Sequence, residues 1–247
     1  MYVNARGEPA VVVLAAGYQS PHGTLAQLDI VGPADDAVTE ALVSWGAGLS
    51  RASGAIALLI WVGRGHGSAL AAVGLKLSRP WWRMDRTLIG DLPAPRPVEG
   101  YVLIDGNKVA AGVWADMHNR CFADHWRFSY RGEDELVGGA VPELCLLAAT
   151  VGGEPAAITL NQLEHIEPDA RPQPLGLVRS VGTVPEHRRR GLATWLVAES
   201  LVRLRNSGAS HASLYVDGLN ATRASDAYRK LGFEVAFEAE VWEATFP

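Results

Sequence analysis

The sequence predicts an α/β chain in which one strand–helix–strand pattern is used twice. Three observations predict it. Apolar runs of strand length alternate with amphipathic stretches of helical period along the 247 residues. Landmarks of the first half reappear in the second: ARGEPAVVVL (5–14) matches VGGEPAAITL (151–160), GAIALLIWV (54–62) matches GASHASLYV (208–216), VGLKL (73–77) matches LGFEV (231–235), and RMD (83–85) matches VWE (241–243). The offset grows from 146 to 154 to 158 residues, as short loop insertions produce. Finally, DLPAPRPVEG (91–100) is proline-rich and reads as a linker. Residues 1–92 are therefore read as a shortened copy and residues 98–247 as a complete one.

Taken in order, PAVVVLAA (9–16) follows a turn at Arg6-Gly7 and reads as a strand, and TLAQLDIV (24–31) as a second. Residues 35–50 have helical spacing, with Ala37, Val38, Ala41, Leu42 and Trp45 as apolar positions. A strand follows Gly54 and ends near Val62, a short helix covers 66–73 up to Gly74, and a last strand runs from Trp81 to Leu88. In the second half, YVLIDGNKVAAGVWA (101–115) is either a strand through an Asp105-Gly106 turn or a strand leading into a helix. Residues 107–140 carry little pattern and are expected to hold helices and loops. ELCLLAAT (143–150) and PAAITLNQL (155–163) form a hairpin around Gly152-Gly153. The polar loop 164–175 leads into a strand at 176–184, a helix within 187–208, a strand at 211–216, a helix at 221–230 and a closing, bulged strand at 233–246.

Composition narrows the function. A chain 48% hydrophobic and 20% charged is an ordinary globular composition, long enough for a sizeable core. A net charge of −5 argues against general nucleic-acid binding. No apolar run reaches the length of a membrane span, and MYVNARGEP lacks a signal pattern, so a cytoplasmic protein is the default expectation. Two cysteines make no disulfide framework. His118, Cys121 and His125, with Asp124 near, have short spacings, but no complete zinc pattern; no metal is expected.

The chemistry concentrates in HRRRGLATWLVAESLVRLRNSG (187–208), where three arginines run into Gly191 at a helix start. The first turn of a helix exposes unpaired N–H groups and a positive dipole end, so arginines there suit a bound anion rather than the helix itself. Gly191 lets a phosphate approach the backbone, the N–H groups of 189–194 would point at it, and Ala193 keeps the turn narrow. Leu192, Leu196, Val197, Leu201 and Leu204 anchor the helix on a sheet. At the matching place the first half has Asp35, Asp36, Ala37 and Val38, whose carboxylates repel a phosphate. The stretch is not a nucleotide loop, since no GxxxxGK[ST] occurs and no GxGxxG follows a strand; GRGHGS (63–68) reads as a turn.

VGTVPEHRRRGLAT (181–194) resembles the acyl-CoA signature of the GCN5-related N-acetyltransferases, with Arg188, Gly191 and Ala193 in its three fixed places. VDGLNATRASDAYRKLGF (216–233) is similar to that family's second segment, although eight rather than seven positions separate Asn220 from Tyr228. The likeness is strong over 143–247 and, through the repeat, weak over 1–90, where the family's initial strand and helices are missing, in the manner of tandem members. It implies an α/β fold of mixed, mostly antiparallel sheets flanked by helices, present in tandem. It implies acetyl-CoA as cosubstrate, held by Gly182, Thr183, Val184, Arg188, Arg189, Arg190, Gly191, Leu192, Ala193, Thr194 and Asn220. Tyr228 would be the general acid that protonates the departing thiolate, its alternative being core packing against Phe233. Glu143, Glu164 and His165 are open candidates for a base, and Asp217 for a turn cap. The expected reaction is direct attack of a small-molecule primary amine on the thioester, and the rival expectation is a non-catalytic acyl-CoA sensor or scaffold. A homodimer is compatible with the sequence and not specified by it.

Overall fold

A computed structural model describes residues 2–3, 9–31, 36–65, 67–164, 174–220 and 222–246. In the first half, β1 (Tyr2–Val3) and β2 (Pro9–Ser20) precede β3 (Gly23–Val31), α1 (Asp36–Ala52), β4 (Ala57–Gly63), α2 (Gly67–Ala72) and β5 (Lys76–Thr87). The second half comprises β6 (Tyr101–Asp105), α3 (Ala111–Phe122), α4 (Glu133–Val137), β7 (Leu146–Thr150), β8 (Pro155–Glu164), β9 (Leu175–Thr183), α5 (Leu192–Asn206), β10 (His211–Asp217), α6 (Ala224–Lys230) and β11 (Glu234–Thr245). The sequence β2–β3–α1–β4–α2–β5 recurs as β8–β9–α5–β10–α6–β11, and the closing strands have the same length, 12 residues. The fold is the mixed, mostly antiparallel α/β arrangement that the sequence predicts.

All the described strands join one sheet in the order β1-β2-β3-β4-β11-β5-β10-β9-β8-β7-β6. The closing strands are exchanged: β5 of the first half lies on β10, and β11 of the second lies on β4. They meet antiparallel at the centre, from Glu234↔Asp85 to Glu243↔Lys76, with register shifts at Val235/Phe237 and Val241/Trp242 that supply the expected bulges. Alternate residues of β5 serve opposite faces. Met84 is buried with Leu201, Leu214 and Phe233 in the core under α5 and α6, while Arg79, Trp81 and Arg83 face the other way.

Helices cover the second half on both faces. Leu192, Leu196, Val197, Leu201 and Leu204 of α5 are at most 1% exposed, as their spacing predicts, each worth about 2 kcal/mol of burial. On the opposite face, Trp114, Met117 and Cys121 of α3 pack on Leu147, Ile158 and Leu160. The first half has helices on one face, where Val43 and Ala47 of α1 and Leu70 of α2 pack on Leu28, Leu58 and Ile60.

Several boundaries differ from expectation. Helix α1 has the predicted period but turns a different face inward: Thr39, Val43, Gly46, Ala47 and Ser50 are buried, and Trp45 is 54% exposed. The cause is close approach, since a Cβ on Gly46 would stand 3.0 Å from Leu28. Strand β5 begins at Lys76, five residues before Trp81, because partners on β11 extend the ladder past Pro80. Residues 142–144 form a 3₁₀ turn rather than the start of a strand, and Cys145 accepts the Gly106 N–H there at 2.9 Å. Another 3₁₀ turn at 106–108 leads into α3, which settles the alternatives left open for 101–115.

Candidate functional site

The site begins where β9 and β10 part. These parallel neighbours pair over His211↔Leu175, Ala212↔Gly176 and Ser213↔Leu177, and their pairing ends there. A bulge between Leu160 and Asn161 in the β8–β9 ladder leaves Arg179 without a partner and bends β9, while Arg179 donates to the Gly138 and Glu135 carbonyls. Each strand therefore presents an unpaired edge to a wedge-shaped gap. Gly182 lies on this bent strand because α3 crosses it closely: a Cβ there would meet Cys121 Cβ at 2.7 Å and Phe122 at 3.0 Å.

The arginine-rich turn lies beyond the end of β9. Arg189 (φ 64°) and Gly191 (φ 91°) are both left-handed, flanking Arg190. For arginine this conformation is costly, and such strain collects where backbone geometry serves a ligand. Alternating handedness aims successive N–H groups into one concavity, an anion-binding nest. It leads directly into α5, whose first internal bond is Trp195 N–H to the Gly191 carbonyl at 3.0 Å, so the N–H groups of 192–194 have no partner within the helix. Leu192 is buried, Ala193 half-buried, and Arg189, Arg190, Gly191 and Thr194 are exposed.

The predicted residues divide into those that build the turn and those that face outward from it. Arg188 is a clamp: it donates to Thr183 O at 3.1 Å and Cys121 O at 2.9 Å and forms a bidentate pair with Asp124 at 2.5 and 2.8 Å. That guanidinium holds the Asp124 carboxyl below its ordinary pKa. Val184 donates its N–H to Ala156 O and accepts from His187, so both of its backbone groups are engaged. Arg190 donates to the Tyr101 hydroxyl at 3.0 Å, which also bonds His187 Nδ1 at 2.8 Å. Arg189 has no hydrogen bond or ion pair among the described residues.

On the β10 side, Asn220 closes a turn, its Oδ1 accepting from Thr222 N at 2.8 Å and Thr222 Oγ1 at 2.6 Å. Tyr228 is 7% exposed, within the core under α5, its ring edge-on to Phe233 at 6.2 Å. Burial pushes its phenol well above the ordinary value. Asp217 accepts from Leu219 N at 2.8 Å, capping the turn as expected, and also pairs with Arg79 at 2.5 Å. Of the candidate bases, Glu143 sits beside α5, its carbonyl accepting from Arg203; Glu164 ends β8; His165 lies outside the described residues, as does Asp35.

Sequence reading missed the contribution of the first half. Arg79 of β5 pairs with Asp217 and lies over the Trp126 ring at 3.8 Å, joining β5, the end of β10 and the segment after α3. The signal available was only an arginine beside a tryptophan pair, with nothing to show that β5 crosses over. His118 stacks on Phe122 with centroids at 4.5 Å, His125 meets the same ring edge to face at 4.7 Å, and Asp124 is engaged by Arg188. Among the described residues no three metal-capable side chains gather.

A parted pair of parallel strands, a nest and a helix pointing its N–H groups at one spot define the fold class: that of the GCN5-related N-acetyltransferases, used in tandem. A GCN5-related N-acetyltransferase from Sphaerobacter thermophilus superposes with a TM-score of 0.75 at 21% identity, over 98% of this chain and 79% of that one. A tandem protein of this fold from the clavulanic acid biosynthesis pathway gives 0.67 at 19% identity, over 99% and 82%. Residues 170–243 match the FR47-like protein family. In sequence the chain is related to mycothiol acetyltransferases: 30% identical over 196 residues to that of Kytococcus sedentarius (72% of this chain, 62% of the relative) and 32% over 172 residues to that of Thermobispora bispora (66% and 56%). The chain thus spans about three-fifths of the length of these relatives.

Proposed function

We propose that the chain is an acetyl-CoA-dependent N-acetyltransferase acting on a primary amine of a small molecule. The observation that carries this reading is the nest at 189–191 opening onto α5 beside the β9–β10 gap. A pyrophosphate fits a concavity of backbone N–H groups flanked by Arg189 and Arg190, each charge-assisted bond worth about 1.5–3 kcal/mol by mutation. The gap matches a narrow, amide-bearing arm that takes up the unpaired strand edges, with backbone of Gly182 and Thr183 on one side and Asn220 on the other. The sequence kinship with mycothiol acetyltransferases supports acyl transfer.

Acetyl-CoA supplies an acyl carbon already activated as a thioester. The chain's residues would hold it and align the amine, and side-by-side binding contributes much of the acceleration. Tyr228 would act as proton donor: its apolar surroundings keep the phenol protonated, ready for a thiolate forming beside it. The first half would shape the acceptor site without binding a cofactor.

A non-catalytic acyl-CoA sensor is the second reading, favoured by one observation, the packing of Tyr228 into the core beside Phe233. Calorimetric titration with acetyl-CoA, followed by CoA thiol release with a panel of amines, separates the readings. One site per chain and thiol release are expected; binding without release from any amine would leave the sensor. Tyr228→Phe should lower kcat about a hundredfold with acetyl-CoA affinity kept, and an unchanged kcat would remove Tyr228 from the reaction.

A further inference from the structure

The face of the first half that its helices leave uncovered floors a cavity of about 840 Å³. The floor crosses six neighbouring strands, β2, β3, β4, β11, β5 and β10, with Tyr18 of β2 at its outer rim. Tyr215 lies on β10, the strand that borders the gap, and Asp29 on β3, four spacings or roughly 19 Å away across the strands. Trp61, Trp81, Trp126 and Phe237 line the space between, Trp61 and Trp81 edge to face at 6.0 Å.

The charges lining this cavity are unevenly compensated. Arg83 pairs with Asp85 at 3.1 Å, Arg127 with Glu243, and Arg131 with Glu135. Asp29 differs: its oxygens accept from the Gln27 amide at 3.1 and 3.0 Å, and among the described residues no cation pairs with it. Burial raises its carboxyl pKa, and the single amide offsets that only in part. Its register partner on the next strand is Trp61, so the carboxylate stands beside an indole. An anion would be repelled here and a neutral group would leave the carboxylate uncompensated. An ammonium answers both neighbours, by a charge-assisted hydrogen bond and by attraction to the indole.

We propose that the acceptor is an elongated dibasic amine, one amino group reacting at the β9–β10 gap and the other held as an ammonium by Asp29 beside Trp61, roughly 19 Å across the aromatic floor. This deepens the acetyl-transfer reading, on which the fate of the reacting nitrogen rests; the ammonium site at Asp29 is a binding claim in its own right.

The test is calorimetric binding to the full chain without acetyl-CoA. The probes are an α,ω-diamino oligo(ethylene glycol) long enough to cross the floor and its analogue with methoxy in place of both amines. The diamine should bind about tenfold tighter. Asp29→Asn, which keeps shape and polarity, should erase that preference. Equal affinity for the two probes, or a preference that survives Asp29→Asn, overturns the proposal. Should the variant fail to fold, salt decides in the unmodified chain: the preference must shrink as ionic strength rises, and a salt-independent preference overturns the proposal. A chain that prefers the diamine through Asp29 yet releases no CoA thiol would refute acetyl transfer and leave the ammonium site standing.

Discussion

The two halves of this chain start from one strand–helix–strand plan and diverge where a ligand is concerned. In the second half β9 and β10 stay paired for three residues and then part; in the first, β3 and β4 stay paired for five, from Leu25↔Ala57 to Asp29↔Trp61. Helix α5 begins at a nest in which left-handed Arg189 and Gly191 flank Arg190, whereas α1 begins with Asp36, which accepts from Ser68 at 3.5 Å. Helices α3 and α4 cover one half on the face where the other is left open and aromatic. A duplicated fold can thus keep its ladder and specialise at a strand gap, a helix start and a missing cover. The exchange of β5 and β11 makes the specialisation useful, because it places the open face and the gap on one continuous sheet.

The largest effect should come from making the second helix start resemble the first. Arg189→Asp with Arg190→Asp puts two carboxylates at the nest, where Asp35 and Asp36 stand in the other copy. Acetyl-CoA affinity, read by calorimetry, should fall about a hundredfold or more, the loss of two charge-assisted contacts. Arg188 carries most of the structural bonds of the turn and Arg190 adds its bond to the Tyr101 hydroxyl, so the cost in stability should stay near that of one hydrogen bond, about 1 kcal/mol. Affinity within about threefold of the parent would mean that the anion sits elsewhere.

A smaller effect, on stability, should come from the bent strand. Among the described residues the first half has no counterpart of α3 crossing β3. Gly182→Ala places a methyl 2.7 Å from Cys121 Cβ and 3.0 Å from Phe122, a contact α3 must yield to. The expected cost is about 1–3 kcal/mol in urea unfolding. An unchanged midpoint would show α3 to be loosely seated and the tight crossing of β9 dispensable.

The comparison also marks what a sequence makes legible. The repeat, the strand–helix alternation and the arginine-glycine turn are local patterns, and each has its element in the structure. The buried leucines of α5 follow from their spacing alone. The inward face of α1 did not, because Gly46 and Ser50 are buried by close approach, which apolar counting ignores. Strand exchange was illegible for a deeper reason: β5 would satisfy its backbone equally in its own half or the other, and pattern does not specify the partner. The Arg79–Asp217 pair and the Asp29 cavity depend on that exchange, so residues that read as ordinary strand positions became the wall of a site. Arg188 shows the converse, a signature residue engaged as a clamp.

The smallest effect concerns pH and belongs to the cover that only the second half has. His118 of α3 lies stacked on Phe122 with Nδ1 buried and without a partner among the described residues. Burial lowers its pKa to about 4, helped by the Arg131, His125 and Arg179 charges and opposed by Asn119. The unfolded chain, with an imidazole near its ordinary value of about 6.5, binds the proton first. The stabilisation is therefore fully present above about pH 6.5 and is lost as the pH falls toward 4. Thermal unfolding from pH 7 to 4.5 should show a falling midpoint, and His118→Gln should flatten part of that fall. His125, also lowered by burial, contributes to the remainder in the same direction. Should His118→Gln leave the slope unaltered, α3 opens to solvent before the domain unfolds, and the cover that distinguishes the second half is its least stable layer.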